Sequence, residues 1–335
     1  MKVLHIGKKG NMERFSAPGS YLEQLETVDM YMSDVQEYLA AAADADFIVA
    51  DAIAPVPAEL IGNMPNLKLI HSEGVAYNQI DTAAADRCGV YVCNSQGMNS
   101  SAVAEQTVLL MIGLLRDIRG GDEAVRRGMQ ITKKEGYMLR GDLRELADCR
   151  IGLVGFGDIA RKTAELLRAF GVSSVSYYKR TPLSPGEEES LGVSYQPLDK
   201  LLGTSDIVSL HLPLTSETEA MAGSGFFASM KADSYFVNTS RGGLVDDQAL
   251  GEALVSGHLA GAALDTVNGE PVSEDHPLLH LPDGASDKIL FSPHIAGITA
   301  SSFRRSYAMI AEDIRAAAEG RIPERVVNHP ETGEK

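Results

Sequence analysis

Three side chains of complementary chemistry stand on separate segments in the second half of the chain, each after a short apolar run. They are Arg241 in Asn238–Gly243, Glu270 in Asp265–Pro271 and His294 in Ser292–Gly297. A guanidinium can bind a carboxylate through two parallel hydrogen bonds, an imidazole can exchange a proton near neutral pH, and a carboxylate can orient and charge that imidazole. Together these groups predict a site that interconverts a 2-hydroxy acid and a 2-keto acid.

Each of the three residues also has a structural explanation when it is taken alone. Arg241 could close a surface salt bridge, Glu270 could cap a turn before Pro271, and His294 could be a histidine at the end of a strand. Their occurrence together, each on a segment that follows a short apolar run, favours the catalytic interpretation.

Composition narrows the class of protein. A chain of 335 residues exceeds what one hydrophobic core usually serves, so two domains are expected. The formal net charge of -16 argues against partners such as nucleic acid or anionic membrane surfaces, which require basic patches. The longest apolar run, residues 108–115, is too short to span a membrane, and the N-terminus lacks a secretory signal pattern. We therefore expect a soluble, cytoplasmic protein.

Metal and disulfide sites are not expected. His276 and His280 are four residues apart, but Pro277 lies between them and no HExxH pattern accompanies them. An odd number of cysteines without a CxxC spacing fits ordinary thiols in a reducing compartment. The cysteines are Cys88, Cys93 and Cys149.

Short β-rich runs alternate with helical segments along the chain, which predicts parallel sheets covered on both faces. In the first part, the predicted strands are Lys2–Ile6, Phe47–Ala50, Leu67–His71 and Val90–Val92. In the second part, they are Ile151–Val154, Val175–Tyr178, Ile207–Leu210, Tyr235–Val237, Ala262–Leu264 and Ile289–Phe291. Helical spacing of apolar residues predicts long helices over Asn99–Ile118 and Ala300–Glu319.

A glycine motif follows the strand Ile151–Val154. Gly155, Gly157 and Ala160 form a GxGxxA pattern at the opening of a helix predicted over Ile159–Phe170. The first glycine permits a tight turn, the second lets a pyrophosphate approach the N–H groups at the helix N-terminus, and the small third residue allows close packing of helix and strand. The pattern, in this context, predicts a dinucleotide site.

The residues after the next strand predict which dinucleotide binds. An acidic residue that accepts hydrogen bonds from the ribose usually stands about 20 residues after the glycine turn. Lys179, Arg180 and Thr181 occupy that region here. Two cations would attract a 2′-phosphate and the hydroxyl could donate to it, so the sequence favours NADP(H), with NAD(H) as the alternative; the basic pair could also be an ordinary solvated turn.

Over most of its length the chain resembles the D-isomer-specific 2-hydroxyacid dehydrogenases. The matching segments are Gly74–Asp81, Asn99–Glu105, the turn at Gly155, His211–Thr215, Asn238–Asp246, Asp265–Pro271 and Ser292–Gly297. The resemblance implies that Arg241 holds the substrate carboxylate and carbonyl, that His294 is the acid-base group and that Glu270 pairs with it.

The resemblance also implies the positions that contact cofactor and substrate. The backbone N–H groups of Val75 and Ala76 would bind the substrate carboxylate, and Asp265 would contact the nicotinamide carboxamide. The expected cofactor-binding residues are Gly155, Gly157, Asp158, Ile159, Lys179, Arg180, Thr181, His211, Leu212, Pro213, Thr218, Thr239, Ser240, Asp265 and Gly297. The expected substrate-binding residues are Glu73, Gly74, Val75, Ala76 and Arg241.

Glu73 departs from the family pattern, because many relatives carry a small or apolar residue there. If its side chain faces the pocket, it would disfavour a second carboxylate or a phosphate on the substrate and favour a hydroxyl-bearing or cationic tail. A solvent-facing Glu73 is the alternative.

These observations predict two doubly wound α/β domains, a Rossmann dinucleotide-binding domain of residues 99–298 inserted into a flavodoxin-like substrate domain of residues 1–98 and 299–335. The two long helices would connect the domains, and the active site would lie in the cleft. The resemblance further implies a homodimer through the segment from Val103 to about Arg140.

The expected activity is NADPH-preferring reduction of a small 2-keto acid, of the glyoxylate or hydroxypyruvate type, to the D-2-hydroxy acid. Oxidation of D-3-phosphoglycerate is an alternative, although the chain ends at Lys335 without the extra regulatory domain that many such enzymes carry. Formate oxidation is a further alternative, but relatives with that activity carry Gln at the position of Glu270, which argues against it. A dinucleotide-sensing corepressor, which shares the fold and the catalytic residues, is the alternative outside the enzymes.

Overall fold

The computed structural model describes residues 1–282 and 284–330. Its strands are β1 (Lys2–Ile6), β2 (Glu26–Met30), β3 (Phe47–Ala50), β4 (Leu69–Ser72), β5 (Tyr91–Cys93), β6 (Arg150–Val154), β7 (Ser174–Tyr178), β8 (Ser194–Tyr195), β9 (Ile207–Leu210), β10 (Ser234–Asn238), β11 (Leu259–Leu264) and β12 (Ile289–Phe291). Its α-helices are α1 (Asn11–Phe15), α2 (Val35–Ala42), α3 (Ala58–Gly62), α4 (Thr82–Cys88), α5 (Ser100–Leu115), α6 (Ile118–Arg126), α7 (Gln130–Arg140), α8 (Asp158–Ala169), α9 (Pro185–Leu191), α10 (Leu198–Thr204), α11 (Ser224–Ser229), α12 (Asp247–Val255) and α13 (Ala300–Ala318).

The chain forms two compact units. The first, here called the outer unit, consists of Met1–Asn99 and the chain from Ile298 onward, and the second, the inserted unit, is Ser100–Gly297. Among the described residues, no helix is both long and apolar enough to span a membrane.

The outer unit is built on a five-stranded parallel sheet in the order β2-β1-β3-β4-β5. That order is typical of flavodoxin-like folds. Alternate side chains of the central strands enter two separate cores, Leu4 and Ile48 on one face and Phe47 and Val49 on the other. Helix α13 covers the second face, so the sheet is buried on both sides, as its continuous apolar strands require.

The inserted unit contains a seven-stranded parallel sheet in the order β12-β11-β10-β9-β6-β7-β8. Read from β8 towards β12, this is the Rossmann order 3-2-1-4-5-6 with one further strand. Val208 and Leu210 enter the core on one face, and Ile207 enters the core that α5 and α8 cover. The two parallel sheets confirm the predicted fold class.

Asp206 ties together the amino-terminal end of this sheet, directly before β9. Its buried carboxylate accepts hydrogen bonds from the Arg150 backbone N–H at 2.8 Å and from the Lys231 ammonium group. Burial alone would raise the pKa of Asp206, but Lys231 and Arg150 outweigh it and lower that pKa to about 2. The ionised carboxylate therefore stabilises the fold.

The structure differs from the sequence prediction at edges and ends. Two strands, β2 and β8, were not predicted because both are edge strands, partly exposed and polar, without the apolar run that marks a buried strand. The predicted single helix Asn99–Ile118 is wrong at its end, since α5 stops at Leu115 and Asp117 takes a left-handed conformation and caps α6. The helix predicted over Ile159–Phe170 is α8, one residue earlier at each end.

Candidate active site

The predicted site residues of the inserted unit follow neighbouring strands of its sheet. Arg241 follows β10, Glu270 follows β11 and His294 follows β12, and these three strands are adjacent. Because the carboxyl ends of parallel strands share one edge, the three segments emerge at the same edge as the glycine turn after β6 and the basic pair after β7. Ligands of open α/β sheets bind at this edge.

The glycine turn after β6 has the shape that a dinucleotide needs. Gly155 has a φ of 93°, and a Cβ at this position would overlap the carbonyl group of His211, so only glycine fits. A Cβ at Gly157 would meet nothing within 4 Å, which leaves open space at the start of α8. Ala160 is fully buried between helix and sheet. The turn can therefore hold a pyrophosphate against the N-terminus of a twelve-residue helix.

The basic pair lies beside this turn. The Gly155 N–H donates to the carbonyl of Tyr178 at 2.9 Å, so Lys179 and Arg180 continue from the residue that fixes the turn. Arg180 is exposed, and its one ion pair in the described part of the chain, with Glu217, is long at 3.4 Å. Both cations directly follow β7, and their predicted contact with the adenosine ribose remains a prediction.

The segment after β9 supplies a neutral histidine and a closed turn. Loss of hydration lowers the pKa of His211 to about 4, and its Nε2 lies 3.0 Å from the Ser209 hydroxyl. His211 is therefore uncharged at neutral pH. The Thr218 hydroxyl donates to the Pro213 carbonyl at 2.7 Å, which closes the turn and orients the segment.

His294 and Glu270 are brought together by their two loops. The Nδ1 atom of His294 lies 2.6 Å from Oε2 of Glu270, and the other oxygen, Oε1, accepts a hydrogen bond from the Val267 N–H at 2.7 Å. Glu270 is thus held from its own loop while it orients the imidazole. The His294 side chain is 51% exposed, so its second ring nitrogen can reach a substrate.

Asp265 shapes the backbone around His294. Its buried carboxylate accepts hydrogen bonds from the N–H groups of Ile295 at 3.1 Å and Ala296 at 2.9 Å, and also from the Ser292 hydroxyl. Its backbone carbonyl accepts from the His294 N–H at 2.8 Å. His294 itself has a φ of 54°, a left-handed conformation that is rare for residues other than glycine. This one aspartate therefore stabilises a strained histidine, and its predicted contact with the nicotinamide remains a prediction.

Arg241 stands on a loop that is fixed at several points. The Asn238 side chain donates to the Arg241 carbonyl at 2.9 Å and accepts from the Ser240 N–H at 3.0 Å. The exposed guanidinium donates to the Ser240 carbonyl at 2.7 Å. Gly242 lies against Val267, so close that a Cβ would overlap the backbone there. The Arg241 loop and the Glu270 loop therefore pack directly on each other.

Thr239 and Ser240 have structural partners of their own. Thr239 shares a hydrogen bond of 2.8 Å with Thr107 on α5, and the Ser240 hydroxyl donates to the Leu210 carbonyl at 2.7 Å. Both contacts hold the end of β10 against the elements beside it. Their predicted contacts with the cofactor remain predictions.

In the outer unit, Glu73 is buried, with 4% of its surface exposed. The solvent-facing alternative is therefore wrong. Its Oε1 lies 2.8 Å from Nε2 of His5 and accepts a hydrogen bond from the Tyr307 hydroxyl. Burial alone would lower the pKa of His5, but Glu73 and Asp29 together outweigh it and raise that pKa. The Glu73 carboxylate is engaged by its own unit, which favours an anchoring role over direct contact with a substrate tail.

The residues after β4 present free backbone donors. Here the term carboxylate loop denotes residues 72–76. Within residues 1–282 and 284–330, no partner accepts a hydrogen bond from the N–H groups of Val75 or Ala76, although both residues are only partly exposed. Two adjacent free N–H groups can bind an anion. The predicted contact of both residues with the substrate carboxylate remains a prediction.

Sequence reasoning missed several polar residues that support these loops. Asn94 donates to the Val75 carbonyl at 2.7 Å, Ser306 donates to the Glu73 carbonyl at 2.6 Å, and Asn238 holds the Arg241 loop. A signal was present for two of them, because Asn94 and Asn238 are polar residues at the ends of otherwise apolar strands. Ser306 gives no such signal, since it interrupts the apolar pattern of α13 and contacts residues more than 200 positions away.

Comparison with known proteins agrees with this geometry. The model of the D-isomer specific 2-hydroxyacid dehydrogenase family, NAD binding domain, matches residues 108–296. The glyoxylate reductase of Aeropyrum pernix is 34% identical over 308 residues, which cover 91% of this chain and 89% of the relative. The D-3-phosphoglycerate dehydrogenase of Archaeoglobus fulgidus is 36% identical over 284 residues, 84% of this chain but 51% of that enzyme.

A solved structure shows the same architecture over nearly the whole chain. The crystal structure of the TT0316 protein from Thermus thermophilus aligns with a TM-score of 0.81 at 30% identity and covers 98% of this chain and 100% of its own. The relatives confirm the resemblance seen in the sequence, as well as hydride transfer between NAD(P)H and a 2-keto acid. The chain belongs to the D-isomer specific 2-hydroxyacid dehydrogenases, an NAD(P)-dependent family.

Proposed function

We propose that this enzyme is an NADPH-preferring reductase of small 2-keto acids of the glyoxylate or hydroxypyruvate type. The observation that carries the proposal is the His294–Glu270 pair, an oriented imidazole at the carboxyl edge of a Rossmann sheet. The glyoxylate reductases among the relatives support the substrate class. The exposed Arg180 and the partly exposed Lys179 support the preference for a 2′-phosphate.

The residues present suit a nicotinamide dinucleotide. Gly155 and Gly157 leave room for its pyrophosphate, and the two cations after β7 would bind a 2′-phosphate through charge-assisted hydrogen bonds. When bound, this cofactor supplies the hydride for reduction of the keto carbon.

During reduction, the protein side chains donate a proton, compensate charge and bind the substrate carboxylate. Reduction of the keto group builds negative charge on its oxygen, and His294 in its protonated form donates the proton that neutralises it. Glu270, 2.6 Å away, holds the ring and compensates its charge. Arg241 grips the substrate carboxylate, and we propose that the N–H groups of Val75 and Ala76 bind it as well. In the oxidative direction, the neutral imidazole of His294 is the base.

The roles of the two units follow from these assignments. We propose that the dinucleotide binds to residues 99–298, and that residues 1–98 and 299–335 form the substrate domain. We also propose that the enzyme works in the cytoplasm, where its three unpaired thiols remain reduced.

A homodimer is proposed from the surface of α6 and α7. No residue of either helix is buried, and their exposed faces carry large apolar side chains. We call this the arm surface; it comprises Ile118, Val125, Met129, Ile131, Met138 and Leu139. We assign this apolar patch to contact with a second copy of the chain, because in a symmetric dimer the same surface lies on both sides of the interface. Such an apolar contact needs no partner of opposite charge, although the protein has a net charge of -16.

Initial rates test the catalytic proposal. Rates are measured with NADPH and NADH across glyoxylate, hydroxypyruvate, pyruvate, phenylpyruvate and 2-ketoglutarate. We expect glyoxylate or hydroxypyruvate with NADPH to give the highest kcat/KM. Equal or better use of NADH would contradict the argument from Lys179 and Arg180.

A variant pair tests the acid-base role. We expect His294→Ala to lower kcat by about 10²- to 10⁴-fold, the usual contribution of a positioned proton donor. His280→Ala is the matched control, since His280 is exposed in the same unit and its Nε2 contacts only the Glu274 carbonyl, at 2.7 Å, among the described residues. Full activity of His294→Ala would exclude the proposed role.

A further inference from the structure

The carboxylate loop is held by every one of its carbonyl groups. The carbonyls of residues 72–76 all accept hydrogen bonds, although only Ser72, the last residue of β4, belongs to regular secondary structure. The donors are His71 Nδ1 to Ser72 at 2.8 Å, Ser306 Oγ to Glu73 at 2.6 Å, Ser95 N to Gly74 at 2.9 Å, Asn94 Nδ2 to Val75 at 2.7 Å and Ser72 Oγ to Ala76 at 2.6 Å.

Because each peptide group is planar, the contacts of its carbonyl oxygen also determine the direction of its N–H group. In a planar trans peptide, the C=O of one residue and the N–H of the next point in opposite directions. The Ser95 N–H that holds the Gly74 carbonyl therefore fixes the Val75 N–H on the other side of the same peptide. In the same way, the Asn94 amide that holds the Val75 carbonyl fixes the Ala76 N–H.

We propose that Asn94 is a positioning residue for substrate binding, because its side-chain amide keeps the peptide between Val75 and Ala76 oriented with the N–H group outward. The inference rests on the proposed function, in which that N–H binds the substrate carboxylate. Without Asn94, the peptide can turn and present its carbonyl oxygen to the anion. Repulsion then replaces a hydrogen bond.

Asn94 is buried in the outer unit, next to residues that also hold the carboxylate loop. Asn94 follows β5 directly and is 4% exposed, and the neighbouring Ser95 is fully buried. Ser95 shares a hydrogen bond of 2.8 Å with Ser306 on α13, and Ser306 in turn holds the Glu73 carbonyl. The buried Glu73 carboxylate fixes the start of the loop through Tyr307. Asn94 is thus the side-chain donor to the peptide whose N–H group, that of Ala76, is proposed to bind the anion.

Steady-state kinetics of Asn94→Ala test the proposal. We expect KM for glyoxylate to rise between about 10- and 100-fold, the range for loss of a hydrogen bond to a charged group. The inhibition constant of oxamate, an unreactive carboxylate probe, should rise by the same factor, while KM for NADPH stays within twofold, on the order expected for an untouched site.

Asn63→Ala is the matched control. The Asn63 side-chain amide also donates to a backbone carbonyl of the outer unit, that of Glu59 at 2.8 Å, but at the end of α3. It should leave both glyoxylate KM and the oxamate constant unchanged. If Asn94→Ala does not fold, Asn94→Asp replaces it, because an ionised carboxylate cannot donate to the Val75 carbonyl and should weaken glyoxylate and oxamate binding at least as strongly.

The outcomes separate the two proposals. Absence of 2-keto acid reduction by the unmodified enzyme would overturn the proposed function. An active enzyme whose folded Asn94 variant keeps its glyoxylate KM and oxamate constant would overturn the present inference alone. A fall in kcat with both constants unchanged would also overturn it, because that pattern indicates a smaller active fraction and not a misplaced donor.

Discussion

Gly242 joins the two catalytic loops, and its replacement by alanine should separate them. A Cβ at this position would stand less than 3.0 Å from backbone atoms of both Val267 and Asn268, and backbone cannot rotate away as a side chain can. Ordinary contact begins at 3.4 Å. Relief of the overlap therefore requires a displacement of roughly 1 Å, and a misplacement of that size costs on the order of 100-fold in rate.

The expected result is a specific loss. We expect Gly242→Ala to lower kcat/KM for glyoxylate by about 100-fold, because Arg241 moves away from the loop that carries Glu270. Overpacking should also lower the free energy of unfolding by about 1–3 kcal/mol. Steady-state rates, thermal unfolding and NADPH binding by fluorescence measure the three effects.

Gly243→Ala is the control at the next residue. A Cβ there would meet only the end of the Leu214 side chain, at 3.0 Å, and that side chain can change rotamer. We expect less than a threefold change, on the order of an ordinary surface substitution. If Gly242→Ala were as active as Gly243→Ala, the loops would not need their close packing for catalysis, and the reasoning would fail.

Three further predictions concern stability, cofactor choice and assembly. Asp206→Asn should lower the free energy of unfolding at pH 7 by about 2 kcal/mol, because the lowered pKa of Asp206 stabilises the fold at every pH above the ordinary pKa of an aspartate. This stabilisation is lost as the pH falls towards 2, so thermal unfolding from pH 7 to pH 2 should show the difference between the two proteins shrinking. Asp287→Asn, which removes an exposed carboxylate, is the control. The double variant Lys179→Ala with Arg180→Ala should lower kcat/KM for NADPH by at least about 100-fold and leave that for NADH nearly unchanged, and an equal loss with both cofactors would refute the phosphate contact. Leu139→Glu, at a position 89% exposed on the arm surface, should give a monomer in sedimentation analysis, and an unmodified enzyme that is itself monomeric would contradict the proposed dimer.

The features that could be predicted from the sequence are those that depend on short segments of the chain. Gly155 is required by a local turn, and the strands that contribute continuous apolar runs are found within two residues at most of their ends, except that β11 begins three residues earlier than predicted. The alternation of short apolar runs with helical segments also predicted parallel sheets, whereas the shared edge of the site segments followed only from the strand order. Fold class and family followed from these local signals.

Contacts between distant residues could not be predicted in the same way. Whether Glu73 faced solvent or the interior depended on His5 and Tyr307, which are 68 and 234 positions away in the chain. The support of the carboxylate loop by Ser306 is equally non-local. The edge strand β2 carries alternating polar residues that a loop could carry as well. In each case the deciding information is tertiary, and no window of sequence contains it.

The attachment of the His294 segment to Asp265 has a consequence for motion. Three successive amides, those of His294, Ile295 and Ala296, donate to this one residue, although their segment follows a strand of only three residues at the sheet edge. Loop amides ordinarily exchange their hydrogen with water quickly, whereas amides that share a buried acceptor exchange only when the whole group opens. These three hydrogens should therefore exchange together and slowly, as one cooperative unit whose lifetime is set by a single residue.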